Sequence, residues 1–304
     1  MSTAPVCVAV GLALMDICYH VRHLPQGGGK TFARSIEHHL GGVATNAARA
    51  MTALGAETRL YARLGDDDLA ETILQKLDAE KIVWRGFVTR VAKAASPQSS
   101  VCIDQSGERA IVNYLDPELF STPPSLPQAL WCGAKALLCD MRWPQAVALA
   151  LQEARKHAVF SVLDYDLAPH TGARALIAKA DACIFSKPAL LQLCATENIK
   201  QALTTVSRSA PYTQLAVTCG HDGVYFLDNN TTQHLPAYAI PTLNTLGAGD
   251  VFHGAFTWAI ADGCSFTQAL QLANAAAALR VSGQSAFPTQ TKLLSFFNAQ
   301  PVPS

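Results

Sequence analysis

Short apolar runs rich in β-branched residues alternate along the chain with longer segments whose apolar positions recur every three or four residues. That is the pattern of buried strands interleaved with amphipathic helices. Residues 6–11, Val-Cys-Val-Ala-Val-Gly, predict a central strand buried on both faces. A helix over 47–54 ending at Gly55, a strand over 58–64 and a helix over 69–79 follow, with acids at 66–68 suited to capping it. From residue 131 onward the order is regular. Strands at 136–140, 159–164, 182–186 and 214–218 are interleaved with helices at 145–156, 172–180, 188–194 and 199–207, and a hairpin covers 223–235. Strands separated by helices pair in parallel through right-handed crossovers, so the expected class is α/β with a mainly parallel central sheet.

Two segments break this rhythm. Residues 16–21 and 30–36 flank the turn Leu24-Pro-Gln-Gly-Gly-Gly29, and residues 99–104 and 109–114 flank Gln105-Ser-Gly-Glu108. Both read as hairpins outside the main sheet. Four such strands predict a small accessory sheet, a lid inserted at about 15–38 and 98–115. No repeat, low-complexity stretch or long linker divides the chain, so residues 1–304 are expected to form one domain.

Composition narrows the partners. With 23 acidic and 23 basic residues there is no global field to attract nucleic acid or a membrane surface, so specificity must lie in a local site. The nine cysteines are scattered and include no C-x-x-C pair, which speaks for reduced thiols and against zinc or a disulfide framework. No basic stretch precedes an apolar core at the N-terminus, and the run 6–14 is too short to span a bilayer. A soluble, cytoplasmic protein acting on a small molecule is expected.

The densest chemistry lies at Asn244-Thr-Leu-Gly-Ala-Gly-Asp250, ahead of an apolar helical run over 251–260. A glycine turn opening into a helix offers free N–H groups and a positive dipole end to an anion. Asp250 beside it reads as a base taking a proton from an attacking group, or as a helix cap. Thr218-Cys-Gly220-His-Asp-Gly223, at the end of a strand, offers backbone donors and a hydroxyl to a polyphosphate, but as bare spacing it is weak. Neither a P-loop nor a dinucleotide G-x-G-x-x-G is present. Asp16, just beyond the first strand, stands where open α/β sheets bind ligands, although its position alone favours a turn. The pair Gly41-Gly42, leading to Asn46, lets either a sugar or a packed helix approach the backbone.

Together these pieces resemble the PfkB-type, or ribokinase-like, carbohydrate kinases, from residue 8 to about 283 and around a signature close to D-T-x-G-A-G-D. The resemblance implies a ribokinase-like three-layer Rossmann-type sandwich with a β-sheet lid. It also implies ATP-dependent transfer of the γ-phosphoryl group to a sugar hydroxyl, with Mg²⁺ bridging ATP oxygens. It casts Asp250 as the base and Gly247, Ala248 and Gly249 as the anion hole. Thr218, Gly220 and Gly223 then hold ATP phosphates, Asn274 lies in the helix bordering the adenine, and Asp16, Gly41, Gly42 and Asn46 bind the sugar. A homodimer through the exposed lid strands is expected, partly by analogy.

Two positions depart from the family. Asn244 replaces an acid that often helps hold a monovalent cation, which leaves potassium use open. The family's N-x-x-E, which organises water around Mg²⁺, reads Ser186-Lys-Pro-Ala189. No direct metal ligand is expected; Asp164 and Asp166 are candidates for contact through water, or a solvated turn. Within the family the chain is similar to kinases that phosphorylate 6-deoxy-6-sulfofructose at its 1-hydroxyl. The likeness is carried by Gly29-Lys30, Ile111-Val-Asn-Tyr114, Leu138-Cys-Asp-Met-Arg-Trp143, Val162-Leu-Asp-Tyr-Asp166, Ile184-Phe-Ser-Lys-Pro188 and Gly249-Asp-Val-Phe-His-Gly254. It implies a sulfonate clamp of Lys30, Asn113 and Arg142. Singly, these read as an exposed charge, a strand-edge amide and a partner for Asp140. A kinase for a neutral ketose or ribose, or a silent sugar-binding protein with the same fold, are the alternatives.

Overall fold

The computed structural model describes residues 4–167 and 173–300. The first part of the chain forms β1 (Val6–Val10), β2 (Leu14–His20), β3 (Ser35–Gly41), α1 (Val43–Ala53), β4 (Glu57–Gly65), α2 (Asp68–Ala79), β5 (Val88–Val91), β6 (Gln98–Ile103) and β7 (Arg109–Tyr114). The middle forms β8 (Ala134–Asp140), α3 (Pro144–Lys156), β9 (Phe160–Tyr165), α4 (Ala173–Ile177), β10 (Ala182–Ser186), α5 (Lys187–Cys194), α6 (Ile199–Ser209) and β11 (Gln214–Thr218). The remainder forms β12 (Val224–Asp228), β13 (Thr231–Leu235), α7 (Ala248–Ala261), α8 (Phe266–Val281) and α9 (Gln290–Ala299). Gly172, the expected start of the 172–180 helix, lies outside the described residues.

Among the described residues, nine strands form one sheet in the order β13-β12-β11-β10-β9-β8-β1-β4-β5. All pairs are parallel except β11–β12 and β12–β13. Alternate residues of β1 serve opposite faces. Cys7 and Ala9 join a core with α1, α2, α7, α8 and Leu293 of α9; Val8 and Val10 join a second core with α3, α4, α5 and α6. A strand buried on both faces needs the unbroken apolar run seen in the sequence, and the result is a helix–sheet–helix sandwich. Asp67 caps α2 by accepting from the Ala70 N–H at 2.9 Å, the structural role expected of the 66–68 acids.

The chain leaves β1 toward β4 on one side and, later, toward β8 on the other, so the strand order reverses at β1 and opens a crevice beyond the carboxyl ends. Asp140, buried at the end of β8, holds that crevice together. Its carboxylate accepts from the backbone N–H groups of Leu12 (3.0 Å), Ala44 (3.1 Å) and Arg142 (2.8 Å). It thereby joins β1, α1 and β8 at one point.

Four strands form the second sheet in the order β3-β2-β6-β7, with β2 and β6 parallel and the outer pairs antiparallel. The second strand of the first hairpin lies at Ser35–Gly41 rather than 30–36. The stretch through the three glycines at 27–29 stays an exposed loop, and Gly41 ends a strand instead of starting a helix. Register puts His39, Asp16, Ser99 and Asn113 in one row across this sheet. Directly paired residues share a face, and Arg109, four residues before Asn113 on β7, faces the same way.

Candidate active site

The turn before α7 positions the site. Gly247 caps the helix with φ 71°, a left-handed conformation that glycine adopts without strain, and Ala248, Gly249 and Asp250 form the first helical turn. The Ala248 N–H is engaged with the Thr245 carbonyl at 3.2 Å, so the expected trio of anion donors is reduced by one. A side chain on Gly249 would meet nothing within 4 Å, so an anion can reach the backbone there.

Asp250 is partly buried, and one carboxylate oxygen accepts from Asn46 Nδ2 at 2.8 Å. Asn46 is itself aimed: its Oδ1 accepts from Arg49 at 3.4 Å, and Arg49 is held by Glu80 at 2.6 Å and by the Leu40 carbonyl at 3.1 Å. Gly254 makes the meeting of α1 and α7 close enough. A Cβ there would lie 2.5 Å from the Ala47 carbonyl oxygen. Burial, reinforced by the like charge of Asp164, pushes the Asp250 carboxyl up to about 7, while the Asn46 hydrogen bond and His253 pull the other way. A base poised near neutrality gains both a populated charged form and driving force for proton transfer.

On one side of Asp250 a cavity of about 770 Å³ opens. Thr218, Gly220, Gly223, Asn274, Ala248 and Gly249 all line it, so the four expected nucleotide positions and two of the anion-hole positions share one space. Its far wall is apolar, with Ile240, Phe252, Ala277 and Val281, and its size and chemistry fit a nucleoside triphosphate. Two expected contacts are modified. The Thr218 hydroxyl donates to the Phe185 carbonyl at 3.2 Å, and Asn274 Nδ2 donates to the Pro236 carbonyl at 2.8 Å. Gly223 is a packing glycine, since a Cβ would sit 2.1 Å from the Leu235 carbonyl oxygen.

Asp16, Gly41, Gly42 and Asn46, none of which lines that cavity, cluster at the start of α1, and Asn46 joins them to Asp250. Gly41 leaves room for the Asp16 carboxylate, which would lie 2.2 Å from a Cβ, and Gly42, at φ 101°, leaves room for the Leu12 carbonyl, which would lie 2.3 Å away. Each glycine thus has a packing reason. Asp16 takes a hydrogen bond from Ser99, yet burial dominates and raises its carboxyl above the ordinary range. Lys30, in the loop between β2 and β3, and Asn113, on β7, are exposed, and Lys30 forms no ion pair among the described residues. Arg142 is anchored between Asp140 and the buried Trp143, which stacks on Tyr61. Its side chain pairs with Asp166 at 3.4 Å, whereas Asp140 takes only its backbone N–H.

Asp164 and Asp166 differ sharply. Asp164 is buried and lies 3.2 Å from Nδ1 of His253 on α7, which also faces the Gly249 carbonyl at 2.7 Å. Burial, then Asp166 and Asp140, raise the Asp164 carboxyl, and burial lowers His253. Asp166 is partly exposed and bonds Ser186 Oγ at 2.7 Å, while Ser186 also caps α5. Among the described residues no cluster of three or more His, Cys, Asp or Glu side chains is placed to hold a metal. Of the two acids expected to act through water, Asp166 is the one with solvent access and Asp164 is buried. His253, Arg49, Arg109 and Arg280 were not legible as site residues; Arg49 and Arg109 lay in stretches read only as a helix and a lid strand, and of the four only His253 lay in a stretch singled out for its chemistry.

The sequence profile of pfkB family carbohydrate kinases matches residues 5–292. The solved structure of a candidate ribokinase from Agrobacterium tumefaciens is 30% identical and superposes with a TM-score of 0.92 over 97% of this chain and 98% of that one. Mouse ribokinase is 24% identical over 95% of this chain and 94% of its own length. The 5-dehydro-2-deoxygluconokinase 2 of Bacillus cereus is 24% identical over 95% and 93%. Fold and site thus define a phosphotransferase of ribokinase-like α/β architecture. The chain belongs to the pfkB family and is a carbohydrate kinase.

Proposed function

We propose that the chain transfers the γ-phosphoryl group of ATP to the 1-hydroxyl of an anionic ketose, 6-deoxy-6-sulfofructose. The observation that carries the transfer is Asp250, held by Asn46 at 2.8 Å between the nucleotide cavity and the Asp16 cluster. Asp250 takes the proton of the attacking hydroxyl, and the helix N-terminus at Gly249 stabilises the charge on the transferring group. Mg²⁺ bound to ATP neutralises the phosphate oxygens when present. Lys187, 3.8 Å from Asp222 beside the Gly220 turn, adds a positive charge near the segment that lacks N-x-x-E.

The anionic acceptor is supported by the exposed Lys30, by Asn113 in the register row of Asp16, and by the anchored Arg142. A sulfonate would compete with Asp166 for the Arg142 guanidinium. A second reading, a neutral ribose-like acceptor, is favoured by that Asp166 contact and by the ribokinases among the relatives. A homodimer through the lid is supported by the exposed Phe32, Ile36, Ile111 and Val112. A cytoplasmic place is supported by nine free cysteines and by the lack, among the described residues, of any helix fit to cross a membrane.

ADP release with ATP, Mg²⁺ and a panel of sulfofructose, fructose, ribose and 5-dehydro-2-deoxygluconate tests the reading. Sulfofructose should give the highest kcat/KM. A higher value for ribose would leave a kinase but overturn the anionic acceptor.

A further inference from the structure

Two arginines from other elements converge on the turn ahead of α7. Asn244 Oδ1 accepts from the Leu246 N–H at 2.9 Å and from the guanidinium of Arg109 at 2.9 Å. The Leu246 carbonyl accepts from Nε of Arg280 at 2.9 Å. The Val281 carbonyl accepts from the N–H groups of both Leu243 (2.7 Å) and Asn244 (3.2 Å). Three oxygens of this turn and of the helix end beside it therefore already have N–H partners, two of them from arginines. Arg280 adjoins the anion-binding end of the helix: its Nε would lie 4.0 Å from a Cβ on Gly247.

A hard monovalent cation needs several uncommitted oxygens, and an acid among them offsets its charge. Here the side chain is a neutral amide whose oxygen is taken. Arg109 and Arg280 already bring two positive charges to this turn, and burial, with the charges of Arg49 and Arg109, draws Arg280 below its ordinary range against the opposing pull of Asp250. A third cation beside two guanidiniums would be repelled. The residues of this turn do not fit the monovalent cation that the family pattern implies.

We infer that Arg280 and Arg109 take over that role as fixed cations, making phosphoryl transfer independent of potassium and rigidifying the turn. Arg280, from α8, holds the Leu246 carbonyl and with it the left-handed Gly247. Arg109, from lid strand β7, reaches Asn244 across 135 residues of sequence, so the lid is tied to the anion turn. Both are positioning residues, acting on the transferring phosphate through the turn and its field. The inference rests on the kinase reading for its catalytic consequence only; cation exclusion stands on the turn itself.

Crystals of the full chain soaked in rubidium chloride test it directly, because the anomalous signal of rubidium needs no turnover. The expected result is no rubidium peak at the Leu246 carbonyl. A peak there, with the Arg280 guanidinium displaced, overturns the inference even if no sugar is ever phosphorylated. Thermal unfolding of the ADP-bound protein adds a solution reading: midpoints in potassium and tetramethylammonium chloride should coincide, and a potassium-specific rise would contradict the inference. Arg280→Met, which keeps the apolar stem, should lower kcat about tenfold with KM for ATP little changed, and potassium should restore part of the loss. Arg280→Lys should retain more turnover than Arg280→Met. Wild-type turnover that falls about tenfold when potassium is withdrawn, or Arg280→Met with wild-type kcat, would also overturn it.

Discussion

The two sides of Asp250 are built by different means. The proposed nucleotide side is a walled cavity of about 770 Å³ made from glycine turns, helix ends and apolar side chains, whereas the proposed acceptor side presents Asp16, His39 and Asn113 on the second sheet and Lys30 in the loop between β2 and β3. In the proposed reaction, backbone donors and an apolar slot would recognise what every cycle shares, a nucleotide with its phosphates. Side chains on a separate sheet can change without disturbing that cradle, so one fold can serve different acceptors.

The largest effect is expected at the junction. Asp250→Asn should lower kcat by about 10²- to 10⁴-fold while ATP affinity, measured by calorimetry, stays within about threefold. Near-native turnover would remove Asp250 as base. On the nucleotide side, Gly223→Val forces a Cβ to within 2.1 Å of the Leu235 carbonyl at φ 83°. It should weaken ATP binding about tenfold or more while the ratio of kcat/KM between two sugars is unchanged.

On the acceptor side the signature reverses. Arg142→Ala should reduce kcat/KM for sulfofructose relative to fructose about tenfold with ATP affinity unchanged; equal losses for both sugars would erase the proposed division of labour. The smallest effect is on stability. The folded state holds the Asp250 proton more tightly than the unfolded chain, so the stability it contributes is present at low pH and lost as pH rises toward about 7. Asp250→Asn should therefore melt a few degrees higher than wild type at pH 8, and the gain should vanish near pH 4.

The same contrast governs what the sequence revealed. The strands at 182–186 and 214–218 were legible to the residue because burial on both faces demands continuous apolar runs. Strand β3 was displaced because five of its seven residues are exposed, so no one-sided pattern fixes its place. Strand β5 is only four residues long, and α9 buries only Leu293, so neither left a periodic signal. The G-A-G-D turn was legible since its chemistry is local backbone. Arg280 to Leu246 and Arg109 to Asn244 are side-chain contacts across 34 and 135 residues, which spacing alone does not reveal. The buried Asp164–His253 pair depends likewise on the packing of α7 against the carboxyl end of β9.

The central claim is that a carboxylate held near neutrality by burial deprotonates the acceptor. The pH dependence of kcat/KM for the best sugar, followed by ADP release, tests it most directly. The account predicts a rate that rises about tenfold per pH unit below about 7 and levels off above it, as Asp250 becomes charged. A profile flat from about pH 5.5 to 8.5 would contradict it.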